Sequence, residues 1–370
     1  MPRTVYFATD RQPVGPQPAK DYAGIADPAE PERLHLGRAT VSDGLGTEAA
    51  RTVLSVETLG GDGAAKGVGA VLGDWLGAAA TANAIPLLFV HGFSNSFHGA
   101  LARVAQIADF YAEAQPKPVV LLPMVFTWPS PGDSGKAAYR ADRQSAALGG
   151  LGLARLFGEL AALPEAGRKP LRLLAHSMGN WCLQNAVSAL AAKGKVPAGL
   201  FRCAILAAAD TDADALAQQD KLGQLPVMAD QVTVAVFKAD PVLKLSDGII
   251  GNGPRLGHGP AKGPLADTVT VIDYIKCVPI PGTPGVPDVV VDWHDTTWNS
   301  IFHQYYRNCA DVRDDLARVL RSETSFPHRI HYADGTGDDT GTPPRTDANY
   351  WYWLQDVTPA SDTQRGPPAP

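Results

Sequence analysis

Cysteine and clustered basic charge are both scarce in this sequence. Only four of its 370 residues are cysteine and no two of them form a Cys-x-x-Cys pair, so neither a disulfide framework nor a zinc site is indicated. The formal net charge is -6, and no run of lysine and arginine is present. Because neutralising phosphates requires such basic clusters, we expect no nucleic acid among the partners.

Long apolar runs and cofactor motifs are missing as well. No segment approaches the roughly 20 apolar residues that span a bilayer, and the first residues lack the apolar stretch of a signal peptide. We therefore expect no integral membrane segment and a cytoplasmic location. The sequence contains no His-Glu-x-x-His, no Gly-Lys-Ser/Thr ending of a phosphate loop and no complete Gly-x-Gly-x-x-Gly behind a strand, so it predicts no metal and no cofactor.

What is present is the composition of a globular chain, with 45% hydrophobic and 19% charged residues. In its middle part, short apolar runs alternate with longer helical patterns, which is typical of βαβ units and a mainly parallel sheet. The predicted strands of this part are 86–90, 119–127, 171–175, 203–208, 232–237 and 289–293. The predicted helices are 97–114, 136–163, 178–193, 211–222 and 308–321.

The N-terminal part has a different sequence pattern. Residues 4–8, 34–41 and 52–58 read as strands joined by turns rich in proline and glycine, which predicts an antiparallel edge. Our division of the chain has four parts: 1–60, the N-terminal strands of the same domain; 61–84, a Gly/Ala-rich connection that is a loop or a poorly specified helix; 85–321, the core; and 322–370, a C-terminal extension.

A candidate nucleophile stands where a predicted strand meets a predicted helix. Residues 175–179 read Ala-His-Ser-Met-Gly, a small-x-Ser-x-Gly sequence of the kind that forms the nucleophile elbow of α/β hydrolases. Ala175 occupies the position where glycine is usual. A helix N-cap serine is the structural alternative for Ser177, but the strand before it and the helix after it favour catalysis. The predicted fold class is therefore α/β, an α/β-hydrolase fold with a mostly parallel central sheet, helices on both faces and an antiparallel N-terminal edge.

An acid and a histidine should follow the nucleophile, because the chain order in this fold is Ser, acid, His. Asp240 is the favoured acid, since it lies beyond the second predicted strand after the nucleophile, and Asp210 is the alternative. His303, just ahead of the last predicted helix, is the favoured general base, with His294 as the alternative.

Two backbone N–H groups are candidates for stabilising the oxyanion of a tetrahedral intermediate. One belongs to Met178, at the start of the helix that follows Ser177. The other belongs to Phe93, in the His-Gly-Phe sequence after the strand ending at residue 90.

Several segments of the chain together resemble a bacterial family of uncharacterised α/β hydrolases. They are Tyr6–Arg11, Phe89–Phe97 with its His-Gly-Phe, Phe126–Ser130 with its Thr-Trp-Pro-Ser, Tyr139 with Asp142 and Arg143, Leu174–Asn180 with its Ala-His-Ser-Met-Gly-Asn, and Asp240–Ser246. The resemblance covers most of residues 4–320. It implies that alanine at position 175 is a family trait, it implies Ser177 as the nucleophile, and it supports Asp240 and His303.

Aromatic and histidine side chains near the predicted catalytic loops are candidates for lining a substrate pocket, although such residues belong to the core at least as often. They are His91, Phe93, Trp128, His176, Trp181, Trp298 and Tyr305. The glycine- and proline-rich segment 246–265 is either a lid or a simple connection.

These residues favour the hydrolysis of a small-molecule carboxylic ester through an acyl-enzyme. The same triad would serve a thioesterase, a lactonase or an acyltransferase. A non-catalytic binding or scaffold protein that keeps the hydrolase fold is the alternative from another class. The survival of all three triad positions argues against that alternative.

Overall fold

A computed structural model describes residues 1–16, 18–27, 30, 32–44, 51–164, 170–249, 251–275, 302–331 and 350–353. The predicted strand 289–293, His294 and Trp298 lie outside the described residues. The described strands are β1 (Arg3–Thr9), β2 (Arg11–Val14), β3 (Asp21–Ala26), β4 (His35–Val41), β5 (Val53–Gly61), β6 (Ile85–Val90), β7 (Leu121–Thr127), β8 (Arg172–His176), β9 (Cys203–Ala207), β10 (Val232–Val236), β11 (Val269–Asp273), β12 (Arg329–His331) and β13 (Tyr350–Trp353).

Helices alternate with the strands of the middle part. They are α1 (Val68–Thr81), α2 (Phe97–Ala112), α3 (Lys136–Ala162), α4 (Gly179–Ala192), α5 (Leu225–Met228), α6 (Pro241–Lys244) and α7 (Ala310–Leu320). A short π-helix (Leu245–Ile249) continues α6, and a 3-10 turn (Tyr305–Arg307) precedes α7.

In the described part of the chain, eleven strands form one sheet in the order β12-β13-β11-β10-β9-β8-β6-β7-β1-β4-β5. The pairs from β13 to β1 are parallel, whereas β4, β5 and β12 run antiparallel to their neighbours. The remaining two strands, β2 and β3, form a separate antiparallel pair. The α/β-hydrolase fold with a mostly parallel sheet and an antiparallel N-terminal edge is confirmed.

The central strands are apolar without interruption because both faces of the sheet are covered. In β6, Leu88 and Val90 pack with α1, α3 and α4, while Leu87 and Phe89 pack on the other face with α2 and α7. All four side chains are fully buried. Strand β8 therefore ends in the middle of a sheet that helices hold from both sides.

Some elements differ from the sequence predictions. The predicted helix 211–222 is wrong: this segment forms turns whose backbone bonds lead to distant residues, such as Ala213 N–H to the Pro254 carbonyl. Strand β11 and the β2–β3 hairpin were not predicted. The Gly/Ala-rich stretch 61–84 contains a helix, α1, which is the second of the two alternatives.

An unusual carboxyl group lies behind the end of β1. Asp10 is buried, and neither of its side-chain oxygens has a hydrogen-bond partner among the described residues. Helix α3 packs directly on it, since a Cβ added to Gly152 would lie 2.9 Å from Asp10 Oδ2. Burial raises the pKa of Asp10 to about 8.

Replacing Asp10 by asparagine is expected to flatten the pH dependence of stability. The unfolded chain loses this proton near pH 4, whereas the folded protein keeps it up to about pH 8. Ionisation therefore favours the unfolded state, and the stability of the wild type falls across that window by an amount on the order of a few kcal/mol. The measurement is urea unfolding at pH 5 and pH 8, with the exposed Asp267→Asn as the matched control. An equal pH dependence in wild type and Asp10→Asn would contradict this assignment.

Candidate active site

Ser177 occupies a sharp turn between β8 and α4. Its φ is 52°, in the left-handed region that residues with a side chain rarely adopt. The turn is held from neighbouring elements: Ser177 N–H donates to the Ala207 carbonyl at 3.0 Å, and Asp210 N–H donates to the Ser177 carbonyl at 3.1 Å. The side-chain amide of Asn180 also donates to the Ala175, Ser177 and Ala207 carbonyls. Such a strained and over-determined turn is the geometry of a nucleophile elbow.

Two glycines allow the backbone segments around Ser177 to approach one another. A Cβ on Gly179 would lie 2.4 Å from the Val90 carbonyl oxygen, so no other residue fits where α4 begins. A Cβ on Gly92 would lie 2.9 Å from Ser177 Cβ. The loop that follows β6 is therefore in direct contact with the elbow.

The structure brings His303 and Asp240 together. His303 Nδ1 lies 2.7 Å from Asp240 Oδ2, and both side chains are buried. Asp240 is fixed by its other oxygen, Oδ1, which accepts the N–H groups of Val242 and Leu243 at the start of α6. Asp240 thus caps a helix and orients a histidine at the same time. In the neutral imidazole, a proton on Nδ1 that is directed at the carboxylate leaves the lone pair on Nε2.

His176, next to Ser177 in the chain, lies against this pair. Its ring centroid is 4.8 Å from that of His303, and its Nε2 lies 3.0 Å from the His303 carbonyl oxygen. Since a carbonyl only accepts, His176 carries its proton on Nε2. Burial holds the pKa of His176 well below the usual histidine value, so it is neutral.

Asp210, the alternative acid, has other partners. Tyr139 donates to its Oδ2 at 2.5 Å and Ser246 donates to its Oδ1 at 2.7 Å. Asn252 donates to the Tyr139 and Ser246 hydroxyl oxygens and closes the network. The structure therefore places Asp210 beside Ser177 through its backbone but pairs His303 with Asp240.

This network also fixes the described part of segment 246–265 to the body of the protein. Leu256 N–H donates to the Thr211 carbonyl and Gly257 N–H to the Ala209 carbonyl. Arg255 is buried and pairs with Asp212. The described part of the segment is therefore bonded to the turns that follow β9.

The two candidate oxyanion donors lie at the elbow and in the loop that touches it. Met178 directly precedes the first residue of α4, and Phe93 directly follows Gly92. Neither N–H has an acceptor among the residues that the structure describes.

The pocket candidates fall into two groups. Trp128, Tyr305 and His91 are fully buried and His176 is 1% exposed, so these four side chains line no open pocket, which corrects that interpretation. Trp128 stacks on His91 and donates to its carbonyl oxygen at 2.7 Å, while the Tyr305 hydroxyl donates to the Ala235 carbonyl at 2.7 Å. Both side chains support the loops from inside the core.

Trp181 and Phe93 are half-buried and flank the elbow. The Arg143 guanidinium lies 3.9 Å over the Trp181 ring, whose Nε1 donates to the Arg143 carbonyl at 3.1 Å. Phe93 packs edge-on against Tyr139 with ring centroids 5.5 Å apart. Phe93 and Trp181 stay candidates for lining a substrate pocket.

The family described as alpha/beta hydrolase of unknown function (DUF900) matches residues 74–278, more than half of the chain. The chain belongs to this family. The match spans the elbow at Ser177 and the loop at Asp240, but it ends before His303. A comparison with curated proteins gives no match.

In the described ranges, no three histidine, cysteine, aspartate or glutamate side chains group in a way that could hold a metal ion. No helix among these residues is long and apolar enough to cross a membrane.

Sequence reasoning missed the residues that hold the site together. Arg11 and Asn95 are almost completely buried polar side chains close to the elbow, and Asn180 bonds three carbonyls around Ser177. All three stand in the segments that carry the family resemblance. Their partners are distant in sequence, so only the fold reveals what they contact.

Proposed function

We propose that this alpha/beta hydrolase cleaves carboxylic esters through an acyl-enzyme, with Ser177 as nucleophile, His303 as general base and Asp240 as the orienting acid. The observation that carries the proposal is the 2.7 Å contact between Asp240 and His303, beside a serine held at a positive φ. A buried carboxylate that accepts a hydrogen bond from Nδ1 selects the imidazole tautomer whose Nε2 can accept a proton.

In the proposed first step, His303 Nε2 takes the proton of the Ser177 hydroxyl as Oγ bonds to the ester carbonyl carbon. The resulting oxyanion is stabilised by the N–H groups of Phe93 and Met178. The intermediate collapses, the carbon–oxygen bond to the alcohol breaks, and His303 gives its proton to the departing alcohol. Asp240 stabilises the imidazolium between the two proton transfers.

In the second step, His303 takes a proton from water as the water oxygen bonds to the acyl carbon. The new tetrahedral intermediate collapses, the bond to Ser177 Oγ breaks, and the proton returns to the serine. Apart from the substrate and water, the steps use only groups of the chain itself. The half-buried rings of Phe93 and Trp181 offer apolar surface for the acyl or alcohol part.

The first test is turnover by the purified wild-type protein of four substrates with the same short acyl chain: a p-nitrophenyl ester, a thioester, a lactone and an anilide. We expect the ester to be cleaved fastest, because p-nitrophenoxide departs more easily than an alkyl thiolate, the alkoxide of a lactone or an aniline. Dialysis against EDTA should leave the rate unchanged. Faster cleavage of the thioester or lactone would reassign the substrate class. Activity lost to EDTA and restored by zinc would overturn the mechanism.

A further inference from the structure

The loop that carries the Phe93 N–H is held by a network of buried polar groups outside the triad. We propose that Asn95, supported by Arg11, is a positioning residue that aims the Phe93 N–H at the developing oxyanion. This inference rests on the proposed function. It assigns a role to the segments around Arg11, Asn95, Ser130 and Asp142, none of which belongs to the triad.

The peptide between Gly92 and Phe93 is held through its carbonyl group. The Gly92 carbonyl oxygen accepts from the Asn95 side-chain amide at 2.9 Å and lies 2.9 Å from His91 Nδ1. Burial holds the pKa of His91 well below its usual value, so this ring is neutral and donates from Nδ1. In a planar trans peptide the C=O and the N–H point in opposite directions. Fixing the Gly92 carbonyl therefore fixes the Phe93 N–H, which points away from Asn95.

The next peptide is held at both ends. The Phe93 carbonyl accepts from the same Asn95 amide at 2.8 Å, and the Ser94 N–H donates to Asp142 Oδ2 at 3.1 Å. Because these hydrogen bonds fix the peptide planes on both sides of Phe93, its backbone has little conformational freedom left. The donor is thus oriented before substrate arrives, which is the condition under which oxyanion stabilisation is most effective.

The backbone N–H and carbonyl of Asn95 are hydrogen-bonded as well, which fixes the position of this residue. Its N–H donates to Ser130 Oγ at 3.1 Å, and Ser130 in turn donates to Asp142 at 2.6 Å. Its carbonyl accepts from Arg11 Nη2 at 2.8 Å. Asn95 is only 2% exposed, so water does not compete for these groups.

Arg11 joins this loop to the rest of the fold. Its guanidinium donates to the Thr127 hydroxyl at 2.8 Å, to the Ser130 carbonyl at 2.8 Å and to the Ala23 carbonyl at 3.3 Å, in addition to Asn95. Burial lowers the pKa of Arg11 to about 10, which leaves it charged at neutral pH. The N–H donors of a guanidinium form a rigid planar fork, so one arginine bonds acceptors on several segments in a fixed geometry, whereas a lysine ammonium is a single point charge on a flexible stem.

The test measures the rate at which a fluorophosphonate labels the protein, and the kcat and KM for a p-nitrophenyl ester. Asn95→Ala should lower the labelling rate and kcat by about 30- to 300-fold and leave KM within about threefold, since a misdirected oxyanion donor affects the transition state and not substrate binding. A boronic acid forms a tetrahedral adduct with serine. The affinity of Asn95→Ala for such a compound should fall together with its kcat.

Ser96→Ala is the matched control. Ser96 caps α2 by accepting the Gly99 N–H, so the variant loses a structural hydrogen bond one residue away from Asn95. This variant should keep its labelling rate within about twofold of wild type. Ser130→Ala, a milder change that keeps the Asn95 amide, should give an intermediate loss of kcat even if Asn95→Ala fails to fold.

The outcomes of these measurements distinguish the positioning role of Asn95 from the proposed function of the chain. If labelling depends on Ser177 while folded Asn95→Ala or Ser130→Ala keeps the wild-type kcat, the positioning role is overturned and the proposed function stands. A rise in KM with unchanged kcat in these variants also overturns the role. If Ser177→Ala is labelled as fast as wild type, the proposed function fails and the inference fails with it.

Discussion

Ser177→Ala is expected to lower ester turnover by about 10^6-fold, because removal of the nucleophile abolishes the acyl-enzyme route. The folded structure should persist, since alanine tolerates the φ of 52° about as well as serine does. The measurement is the steady-state release of p-nitrophenol from a short-chain ester, with thermal unfolding to verify the fold.

Ser188→Ala, on the helix α4 that follows the turn at Ser177, provides the matched control. The Ser188 hydroxyl donates to the Gln184 and Asp220 carbonyls, away from the elbow. This variant should lose some stability and keep its activity. Turnover at the wild-type rate by Ser177→Ala would refute covalent catalysis by this serine.

Asp240→Asn is expected to lower kcat by about 10^4-fold. The amide that replaces the carboxylate can donate its N–H to His303 Nδ1, which moves the imidazole proton to Nε2 and leaves no base for the nucleophile. KM should change little, because Asp240 is fully buried behind the histidine and does not face substrate.

Asp210→Asn distinguishes the two aspartates. Asp210 bonds Tyr139 and Ser246, so its amide variant should be destabilised by about 1 to 3 kcal/mol and keep kcat within about tenfold of wild type. A larger loss of kcat in Asp210→Asn than in Asp240→Asn would transfer the role of the acid to Asp210.

The sequence was sufficient to predict the fold and the elbow because both depend on local patterns. Strands β6, β8, β9 and β10 are short apolar runs that end at turn residues, and Ser177 stands at a strand-to-helix junction. The chain order of the strands and helices then predicts where the acid and the histidine follow Ser177. In these four strands and at this junction, local pattern and tertiary structure agree.

The remaining features depend on contacts between distant residues. Residues 211–222 have a helical pattern, but Asp212 forms ion pairs with Arg255 and Lys221. The backbone of this segment forms turns instead of a helix. In the same way, Arg11 gains its role from Asn95, 84 residues further along the chain. Composition and periodicity carry no information about such pairs.

The most direct test of the central claim is to find which residue a fluorophosphonate modifies. In that reaction Ser177 Oγ bonds to phosphorus, fluoride leaves, and the hydroxyl proton passes to His303. Cleavage by trypsin after Arg172 and Lys193 yields a peptide that contains both Ser177 and Ser188, so fragmentation must assign the site. We predict one phosphonyl group per chain, on Ser177, and no labelling of Ser177→Ala. A label on Ser188, on any other residue, or undiminished in Ser177→Ala would contradict the account.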